Sequence, residues 1–321
     1  MDTTPSSPSS SRSSSGSVPA RPGRPRGRAL VLGGGGSTGN AWLLGVVAGL
    51  SEAGLDMTAD TTVGTSAGST AAAQLAGATP AELFAAALQV PTRRPPRTSV
   101  PGGPARSARS VADRVAAQME RTRAIVDGSA DVADMRRRLG AAALELDADP
   151  DGTRRERWRA TVAARLPRPT WPRRQVLITA VDAATGDPVV FDRHSGVDLI
   201  DAVAASCSSG APYRIGDAWY IDGGYRTNAE NADLAAGHAR VLVLSPFGGR
   251  TRTPPGWRLD LASQVEALRA GGSRVATIVP DEASEHLFGP HAMDLSLRPA
   301  AARAGRDRGL GLAEQLGELW G

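Results

Sequence analysis

Two successive strand–turn–helix patterns near the start of the chain restrict its fold most strongly. A short apolar run ends in four glycines at residues 33–36, and residues 39–53 then have the pattern of an apolar helix. The arrangement repeats at once, with a β-branched strand at 61–63, a small-residue turn at 64–68 and an Ala-rich helix at 69–76. Strands and helices that alternate at this spacing predict a parallel sheet covered by helices on both faces.

The rest of the chain continues this alternation around one interruption. We predict further strands at residues 175–181, 188–191, 218–221, 240–245 and 273–279, and further helices at 80–90, 198–205, 259–270 and 299–321. Between them, residues 91–110 read as a loop and 111–146 have helical spacing. The sequence therefore predicts an α/β fold, a three-layer sandwich with a parallel-rich central sheet, in one domain over residues 28–321 with a helical Arg-rich insert at about 91–175.

The charge of the chain is distributed unevenly. All 37 cations of the 321-residue chain are Arg, and 33 acids leave a net charge of +4. Residues 1–27 are almost wholly Ser, Pro, Gly, Thr and Arg, a composition typical of a disordered tail. The insert carries 19 Arg against 10 acids, a net charge of +9. With 4% aromatic residues the chain lacks stacking platforms for nucleic acid, so the insert is interpreted as a solvated face or as a surface for anionic membranes.

No segment predicts export or membrane insertion. The tail lacks the continuous apolar core of a signal peptide. The longest mainly apolar run, residues 41–50, is about half of the roughly 20 residues that a transmembrane helix needs. The single cysteine, Cys207, cannot form an internal disulfide. We expect a cytoplasmic protein without a transmembrane span, a metal site or a cofactor.

The turn at residues 64–68 is Gly-Thr-Ser-Ala-Gly, which matches the G-x-S-x-G pattern of a nucleophile elbow, and we call it the elbow. Small flanking residues are needed there because the elbow holds its serine in a strained turn, where the hydroxyl projects above the sheet. Ser66 is therefore the candidate nucleophile, with Gly64 and Gly68 supporting the turn. The pattern alone is also compatible with an ordinary tight turn.

Residues 33–36, which we call the glycine loop, end a strand and open a helix, so their backbone N–H groups favour negative charge. Two uses compete. A G-x-G-x-x-G match begins at Gly34, and Asp60 lies near the offset of a ribose-binding acid, as in a dinucleotide site. The other use is an oxyanion hole for a serine nucleophile. We favour the oxyanion hole, because a dinucleotide site does not explain the elbow and Asp60 precedes the second strand.

A serine nucleophile needs a base, and a carboxylate at Asp222 is one candidate. It ends the predicted strand at 218–221 and is followed by Gly223 and Gly224, which let other backbone approach closely. We call residues 222–224 the aspartate turn. An Asp-Gly pair is also a common turn without any catalytic role.

Histidine offers an alternative base. The chain has four histidines, His194, His238, His286 and His291, and none lies in a turn directly after a predicted strand. In an α/β-hydrolase with a Ser-Asp-His triad, His286 or His291 would serve as the base. However, Ser66 follows only the second predicted strand, which is early for the nucleophile of that fold.

The glycine loop, the elbow and the aspartate turn, in this order and context, resemble the motifs of the patatin-like phospholipase family. The resemblance spans residues 29 to about 246 and is weakest in the insert. It implies a lipid acyl hydrolase of the phospholipase A or lysophospholipase type that uses a Ser-Asp dyad without histidine. In this chain the dyad would be Ser66 as nucleophile and Asp222 as base.

The resemblance also implies how the rest of the site is built. Backbone N–H groups of Gly34, Gly35 and Gly36 would form the oxyanion hole. Residues 204–212 resemble the small-residue stretch that precedes the aspartate motif, and we expect them to line the acyl pocket. One position departs from the family pattern: Thr38 stands where the loop often carries Arg or Lys.

The sequence thus predicts a serine hydrolase that cleaves carboxylic ester bonds of lipids, with a phospholipid or lysophospholipid as substrate. Two further alternatives stay open. The same scaffold could bind a lipid or a nucleotide without turnover, or it could transfer the acyl group to an alcohol instead of water. Asn228 and Asn231, shortly after Asp222, are predicted to hold the aspartate turn.

Overall fold

The computed structural model describes residues 25–89, 111–146 and 152–321. Apart from its last three residues, the tail predicted at 1–27 lies outside the described residues. The loop predicted at 91–110 lies entirely outside them.

The strands of the described chain form one mixed sheet. They are β1 (Arg28–Leu32), β2 (Thr61–Gly64), β3 (Gln175–Asp182), β4 (Pro188–Phe191), β5 (Tyr213–Ile215), β6 (Ala218–Asp222), β7 (Arg240–Leu244) and β8 (Arg274–Ile278). The order is β5-β6-β3-β2-β1-β7-β8, with β4 also pairing with β3. Strands β3, β2, β1, β7 and β8 are parallel, whereas β4 and β6 run antiparallel to β3. The predicted parallel-rich sheet is confirmed, and β5 is a three-residue strand that the sequence pattern did not indicate.

Helices cover both faces of the sheet. They are α1 (Gly36–Glu52), α2 (Ala67–Leu75), α3 (Pro80–Ala87), α4 (Val111–Asp127), α5 (Val132–Glu145), α6 (Thr153–Ala163), α7 (Leu199–Ser206), α8 (Leu261–Ala270) and α9 (Arg298–Trp320). Helix α1 begins three residues before the predicted start, because the last glycine of the glycine loop already belongs to it. None of these described helices combines the length and the apolar character that crossing a membrane requires.

Alternation along the central strands divides the core between the two faces. In β1, Leu30 and Leu32 belong to the larger core, which includes the side chains of α1, α2 and α9. Ala29 and Val31 point to the other face, where Leu268 of α8 is buried. Because every second side chain of a strand faces the same side, one apolar strand fills both cores.

Helices α1 and α9 pack with their backbones in contact. A methyl group added at Gly45 of α1 would lie 2.1 Å from the carbonyl oxygen of Ala302, and one at Gly305 of α9 would lie 2.2 Å from that of Trp42. Gly49 and Gly309 continue the same close contact. Two of the glycines that interrupt the apolar pattern of the last helix, Gly305 and Gly309, therefore serve helix packing. This contact brings the first turn of α9 beside the first turn of α1.

The Arg-rich insert packs against the antiparallel end of the sheet. Met135 and Leu139 of α5 share a small core with Val181 and Ile221 of the sheet. Arg136 is anchored as well, since its guanidinium donates to the carbonyls of Gly186 at 2.8 Å and Arg226 at 3.0 Å. Part of the cationic insert therefore holds the fold together and is not a free charged surface.

Candidate active site

The register of the sheet brings the three motifs to one edge. Gly64, the last residue of β2, pairs with Leu32 of β1 and with Ile178 of β3. Asp222, the last residue of β6, pairs with Ala180, two positions further along β3. The glycine loop after β1, the elbow after β2 and the aspartate turn after β6 therefore meet where the parallel strands end, which is the usual edge for sites in α/β sheets.

Ser66 has the backbone conformation of a nucleophile elbow. Its φ of 52° and ψ of −114° lie outside the regions that side-chain-bearing residues usually adopt. Such a conformation costs about 1–3 kcal/mol, so the surroundings must hold it. The turn is tight because α2 begins directly against β1: a methyl group added at Gly68 would lie 1.8 Å from the carbonyl oxygen of Leu32.

Side chains from two helices hold the strained backbone of Ser66. Its N–H donates to Ser206 Oγ at 2.9 Å, and its carbonyl accepts from Ser69 Oγ at 2.6 Å and from Cys207 Sγ at 3.1 Å. Burial raises the pKa of the Cys207 thiol to about 11, so the thiol stays protonated near neutral pH. Cys207 therefore acts as a donor to the elbow, and its high pKa argues against a role as nucleophile.

Asp222 is buried beside the elbow, with 6% of its surface exposed. Its Oδ1 accepts the Gly224 N–H at 2.8 Å, and its own N–H donates to the carbonyl of Ser208 at 3.0 Å. Burial raises the pKa of Asp222 to about 6, while the Gly224 amide and the Ser66 hydroxyl act in the opposite direction. The carboxylate is thus ionised at neutral pH and has a higher proton affinity than a solvated aspartate, as a general base requires.

The glycine loop lies against the elbow, but one of its amides is already used. A methyl group added at Gly34 would lie 3.6 Å from Ser66 Cβ. The Gly34 N–H donates to the carbonyl of Ala229 at 2.8 Å, so the expectation of three open amides needs correction at this residue. The N–H groups of Gly35 and Gly36 have no hydrogen-bond partner within the described residues. These two amides are the candidate oxyanion donors.

The segment before α9 covers the back of the glycine loop. Gly36 has a φ of +65°, and a methyl group there would lie 2.7 Å from the carbonyl oxygen of Ala292. The same carbonyl accepts the N–H of Thr38 at 3.0 Å. Thr38, which stands in the position of the expected Arg or Lys, is fully buried and contributes no charge.

Asn231 joins the elbow to the aspartate turn. Its Nδ2 donates to Thr65 Oγ1 at 3.0 Å and to the carbonyl of Gly223 at 2.9 Å. Asn228 in turn holds Asn231, because Asn228 Oδ1 accepts the Asn231 N–H at 2.7 Å. The sequence assigned both asparagines to the aspartate turn alone. The contact with Thr65 joins segments far apart in the chain, so no local pattern could reveal it.

No hydrogen bond joins a histidine to Ser66 or Asp222, and all four histidines lie within the described residues. His238 Nε2 contacts Thr61 Oγ1 at 2.9 Å, at the opposite end of β2 from Ser66. Asp60 is at that far end too, where it accepts the Arg28 N–H at 2.7 Å. The described residues contain no group of three His, Cys, Asp or Glu side chains that could hold a metal ion.

Two cavities flank residues 207–212, the second part of the small-residue stretch 204–212. One lies under α4 and α5, and its walls include Ile125, Leu139, Ile221 and Tyr225. The other is lined by α6, with Trp158, and by Cys207. Ser209 and Gly210 contribute to both cavities. The segment expected to line an acyl pocket therefore separates two recesses. The first lies next to Ile221, which precedes Asp222, and the second lies next to Cys207, which contacts the elbow.

Comparison with known structures gives several similarities at low sequence identity. The chain is similar in structure to VipD from Legionella pneumophila, with 12% identity, 91% of this chain and 67% of that chain covered, and a TM-score of 0.40. It is also similar to the type III effector protein ExoU, with 15% identity, 91% and 53% covered, and a TM-score of 0.36. It is similar as well to ExoU in complex with SpcU from Pseudomonas aeruginosa, with 17% identity, 92% of this chain and 53% of that chain covered, and a TM-score of 0.35.

This chain spans about half the length of the ExoU chains. No curated protein matches it. The family model for patatin-like phospholipases matches residues 30–235, which contain the glycine loop, the elbow and the aspartate turn. The chain therefore belongs to the patatin-like phospholipase family.

Proposed function

We propose that the chain is a serine acyl hydrolase that cleaves carboxylic ester bonds of phospholipids or lysophospholipids. Membership of the patatin-like phospholipase family supports lipid acyl hydrolysis in general. The finer proposal names a Ser66–Asp222 dyad, an oxyanion hole that contains the amides of Gly35 and Gly36, and one catalytic domain over residues 28–321. Gly64, Gly68, Gly223 and Gly224 support these turns.

One observation carries the proposal. Ser66 has a strained backbone conformation. The buried carboxylate of Asp222 has a raised pKa and lies close enough for the Ser66 hydroxyl to act on that pKa. The amides of Gly35 and Gly36, which have no partner among the described residues, lie at the start of α1, directly after the adjacent strand β1. A strained serine, a base and open amides at one edge of a sheet are the components that acyl transfer requires.

The mechanism follows from these groups. Asp222 accepts the proton of the Ser66 hydroxyl as Oγ attacks the ester carbonyl. The carbonyl oxygen becomes an oxyanion, which the amides of Gly35 and Gly36 stabilise. When the C–O bond breaks, Asp222 returns its proton to the departing alcohol. Water then gives a proton to Asp222 and attacks the acyl-enzyme carbonyl. The bond from the acyl carbon to Ser66 Oγ breaks, Asp222 returns the proton to Oγ, and the fatty acid leaves.

A panel of lipid classes tests this function. Phosphatidylcholine, phosphatidylglycerol, their lysophospholipids and a triacylglycerol are incubated with the wild-type protein and with Ser66→Ala, and released fatty acid is measured. We expect release from phospholipid or lysophospholipid by the wild type only. Equal release by both proteins, or none from any lipid, contradicts the proposal. Fatty acid transferred to added glycerol would instead favour acyl transfer.

We also propose that this protein is cytoplasmic and contacts anionic membranes peripherally through the insert. Arg138 and Arg157 have exposed side chains, and the insert has a net charge of +9. The double variant Arg138→Glu, Arg157→Glu should bind phosphatidylglycerol vesicles more weakly than the wild type in a flotation assay. Arg303→Glu, an exposed arginine of α9, is the control. Equal binding by the wild type and the double variant would mean that the insert is a solvated face without a role in membrane contact.

A further inference from the structure

Arg298, the first residue of α9, reaches across to the start of α1. Its Nη1 donates to the carbonyl of Ser37 at 2.8 Å and to the Ser37 hydroxyl at 3.1 Å. Nη1 and Nη2 both donate to Asn40 Oδ1, at 3.4 and 3.3 Å. The guanidinium thus contacts two residues of the first turn of α1, directly after the glycine loop. Arg298 lies well beyond residues 30–235, which the family model matches.

This cation has no acidic partner within the part of the chain that the structure describes. Its hydrogen-bond partners are a carbonyl, a hydroxyl and an amide oxygen, all of them neutral. Burial and the nearby charge of Arg165 lower the pKa of Arg298, but a guanidinium stays protonated at any physiological pH. Among the described residues, a partly buried positive charge therefore lies beside the glycine loop without an acidic partner, an arrangement that does not by itself favour stability.

The contacts of Arg298 continue to the elbow. Asn40, whose Oδ1 accepts from Arg298, donates through Nδ2 to Gln74 Oε1 at 2.9 Å and to the carbonyl of Ala67 at 3.4 Å. Ala67 directly follows Ser66 in the chain. A single guanidinium therefore orients Asn40, and Asn40 ties the first turn of α1 to the first turn of α2.

We propose that Arg298 is a positioning residue for the oxyanion hole. From outside both motifs, Arg298 fixes the glycine loop relative to the elbow. This inference rests on the proposed function, since it concerns the same site. The loop has no cation of its own, because Thr38 is neutral and fully buried. By holding Ser37, Arg298 sets the direction of the two preceding amides, Gly35 and Gly36. Its positive charge also stabilises negative charge that develops there.

The matched control is Arg306, eight residues later in the same helix. Arg306 also links α9 to α1, because its guanidinium donates to both carboxylate oxygens of Glu52 at 2.8 and 2.6 Å. Its contact lies about 12 Å further along the helix, at 1.5 Å per residue. Arg306→Gln thus removes an α1–α9 link of similar kind without touching the glycine loop. Arg298→Gln and Arg298→Lys complete the set.

Steady-state kinetics with a soluble p-nitrophenyl ester separate positioning from stability. We expect Arg298→Gln to lower kcat by about tenfold to a hundredfold, which is at most the decrease in kcat caused by losing one oxyanion donor. KM should change by less than about twofold. Arg298→Lys should recover part of kcat, since an ammonium supplies charge but not the fork of donors. Arg306→Gln should keep the wild-type kcat even where its melting temperature falls. A wild-type kcat in Arg298→Gln, or an equal loss in Arg306→Gln, overturns the proposal.

Hydrogen exchange provides a readout that does not depend on turnover. Amides in a peptide covering residues 33–44 should exchange faster in Arg298→Gln than in the wild type or in Arg306→Gln. Unchanged exchange in this peptide overturns the positioning role even if the enzyme proves inactive. Failure of the proposed function has a different signature, namely a wild-type protein whose ester turnover is the same as that of Ser66→Ala.

Discussion

The glycine loop and the elbow are two versions of one unit, a strand followed by a turn and a helix, on adjacent strands of the sheet. Both contain a residue with positive φ, +65° at Gly36 and +52° at Ser66. At Gly36 that conformation costs little, because glycine has no Cβ. At Ser66 it is strained, and contacts from Ser206, Ser69 and Cys207 hold the backbone.

The difference follows from what each turn presents. The loop presents backbone amides, for which a side chain would only be an obstacle. The elbow must present a hydroxyl, so it cannot use glycine at its centre, and it needs support from α2 and α7. The same topological unit thus supplies both the oxyanion donors, in the glycine loop, and the nucleophile, in the elbow. Of these two turns, only the one that must present a side chain holds a non-glycine residue at positive φ.

The largest effect should come from removing the hydroxyl that the elbow presents. Ser66→Ala should lower kcat by about 10⁴-fold or more, as loss of the nucleophile does in serine hydrolases. Released fatty acid measures the activity, and circular dichroism checks that the fold is kept. Ser195→Ala, an exposed serine in the turn after β4, is the control and should remain fully active. Substantial turnover by Ser66→Ala would mean that the strained elbow is only a structural turn.

Asp222→Asn should have the next largest effect. The amide keeps the shape of the side chain and can still accept the Gly224 N–H, but it cannot take the Ser66 proton. We expect kcat to fall by about 10³–10⁴-fold, similar to neutralising the aspartate of a serine triad. Asp182→Asn, at the last residue of β3, is the control, because the Asp182 carboxylate accepts the N–H groups of the following turn at Ala184 and Thr185. Near-wild-type turnover by Asp222→Asn would remove the carboxylate from the dyad.

Gly36→Ala changes the other turn and should cost less. The new methyl group would meet the Ala292 carbonyl at 2.7 Å and force a residue with φ of +65° to move, which displaces an oxyanion donor. Loss of one donor lowers kcat by about 10²–10³-fold in comparable sites. Gly311→Ala in α9, where a methyl group meets nothing within 4 Å, is the matched control. Equal kcat for both variants would show that the loop amides do not bind the oxyanion.

The pH profile tests the base directly. Because burial raises the pKa of Asp222 to about 6, the carboxylate becomes protonated as pH falls through that value, and a protonated base cannot accept the serine proton. We expect kcat/KM to be constant above about pH 7 and to fall about tenfold for each pH unit below about 6. Initial rates with a soluble ester measure this. A rate that is flat down to about pH 4.5 would contradict the assignment.

The smallest effects should come from the histidines. Each of His194, His238, His286 and His291, replaced singly by Gln, should leave kcat within about twofold of the wild type, because none bonds to Ser66 or Asp222. His238→Gln could lower the melting temperature, since His238 contacts Thr61. An inactive single variant would instead favour a triad and place the base outside the aspartate turn.

Sequence reasoning located the turns well because glycine marks them. The strand ends at the glycine loop and at the elbow were predicted to within a residue, since apolar runs stop where small residues begin. The G-x-S-x-G pattern points to Ser66, and the family resemblance then assigns Asp222 as its base. Strand β5 escaped prediction because three residues directly after Pro212 are too short to show alternation.

What the sequence could not reveal are contacts between distant segments. The Gly34 amide is used by Ala229, and Asn231 reaches Thr65, across more than 160 residues in each case. Arg298 reaches Ser37 from the last helix. Arg136 belongs to a charge run that suggests solvent exposure, yet it binds two backbone carbonyls. Tertiary packing decides these roles, and no local pattern encodes them.

Labelling with a fluorophosphonate tests the central claim most directly, because the probe reacts only with a serine that is activated and has an oxyanion site beside it. The wild-type protein is treated with the probe and digested, and the modified residue is identified by mass spectrometry. We predict one adduct per chain, on Ser66, that forms more slowly below about pH 6 and is absent from Ser66→Ala and Asp222→Asn. An unlabelled wild-type protein, or an adduct on another residue, would contradict the account.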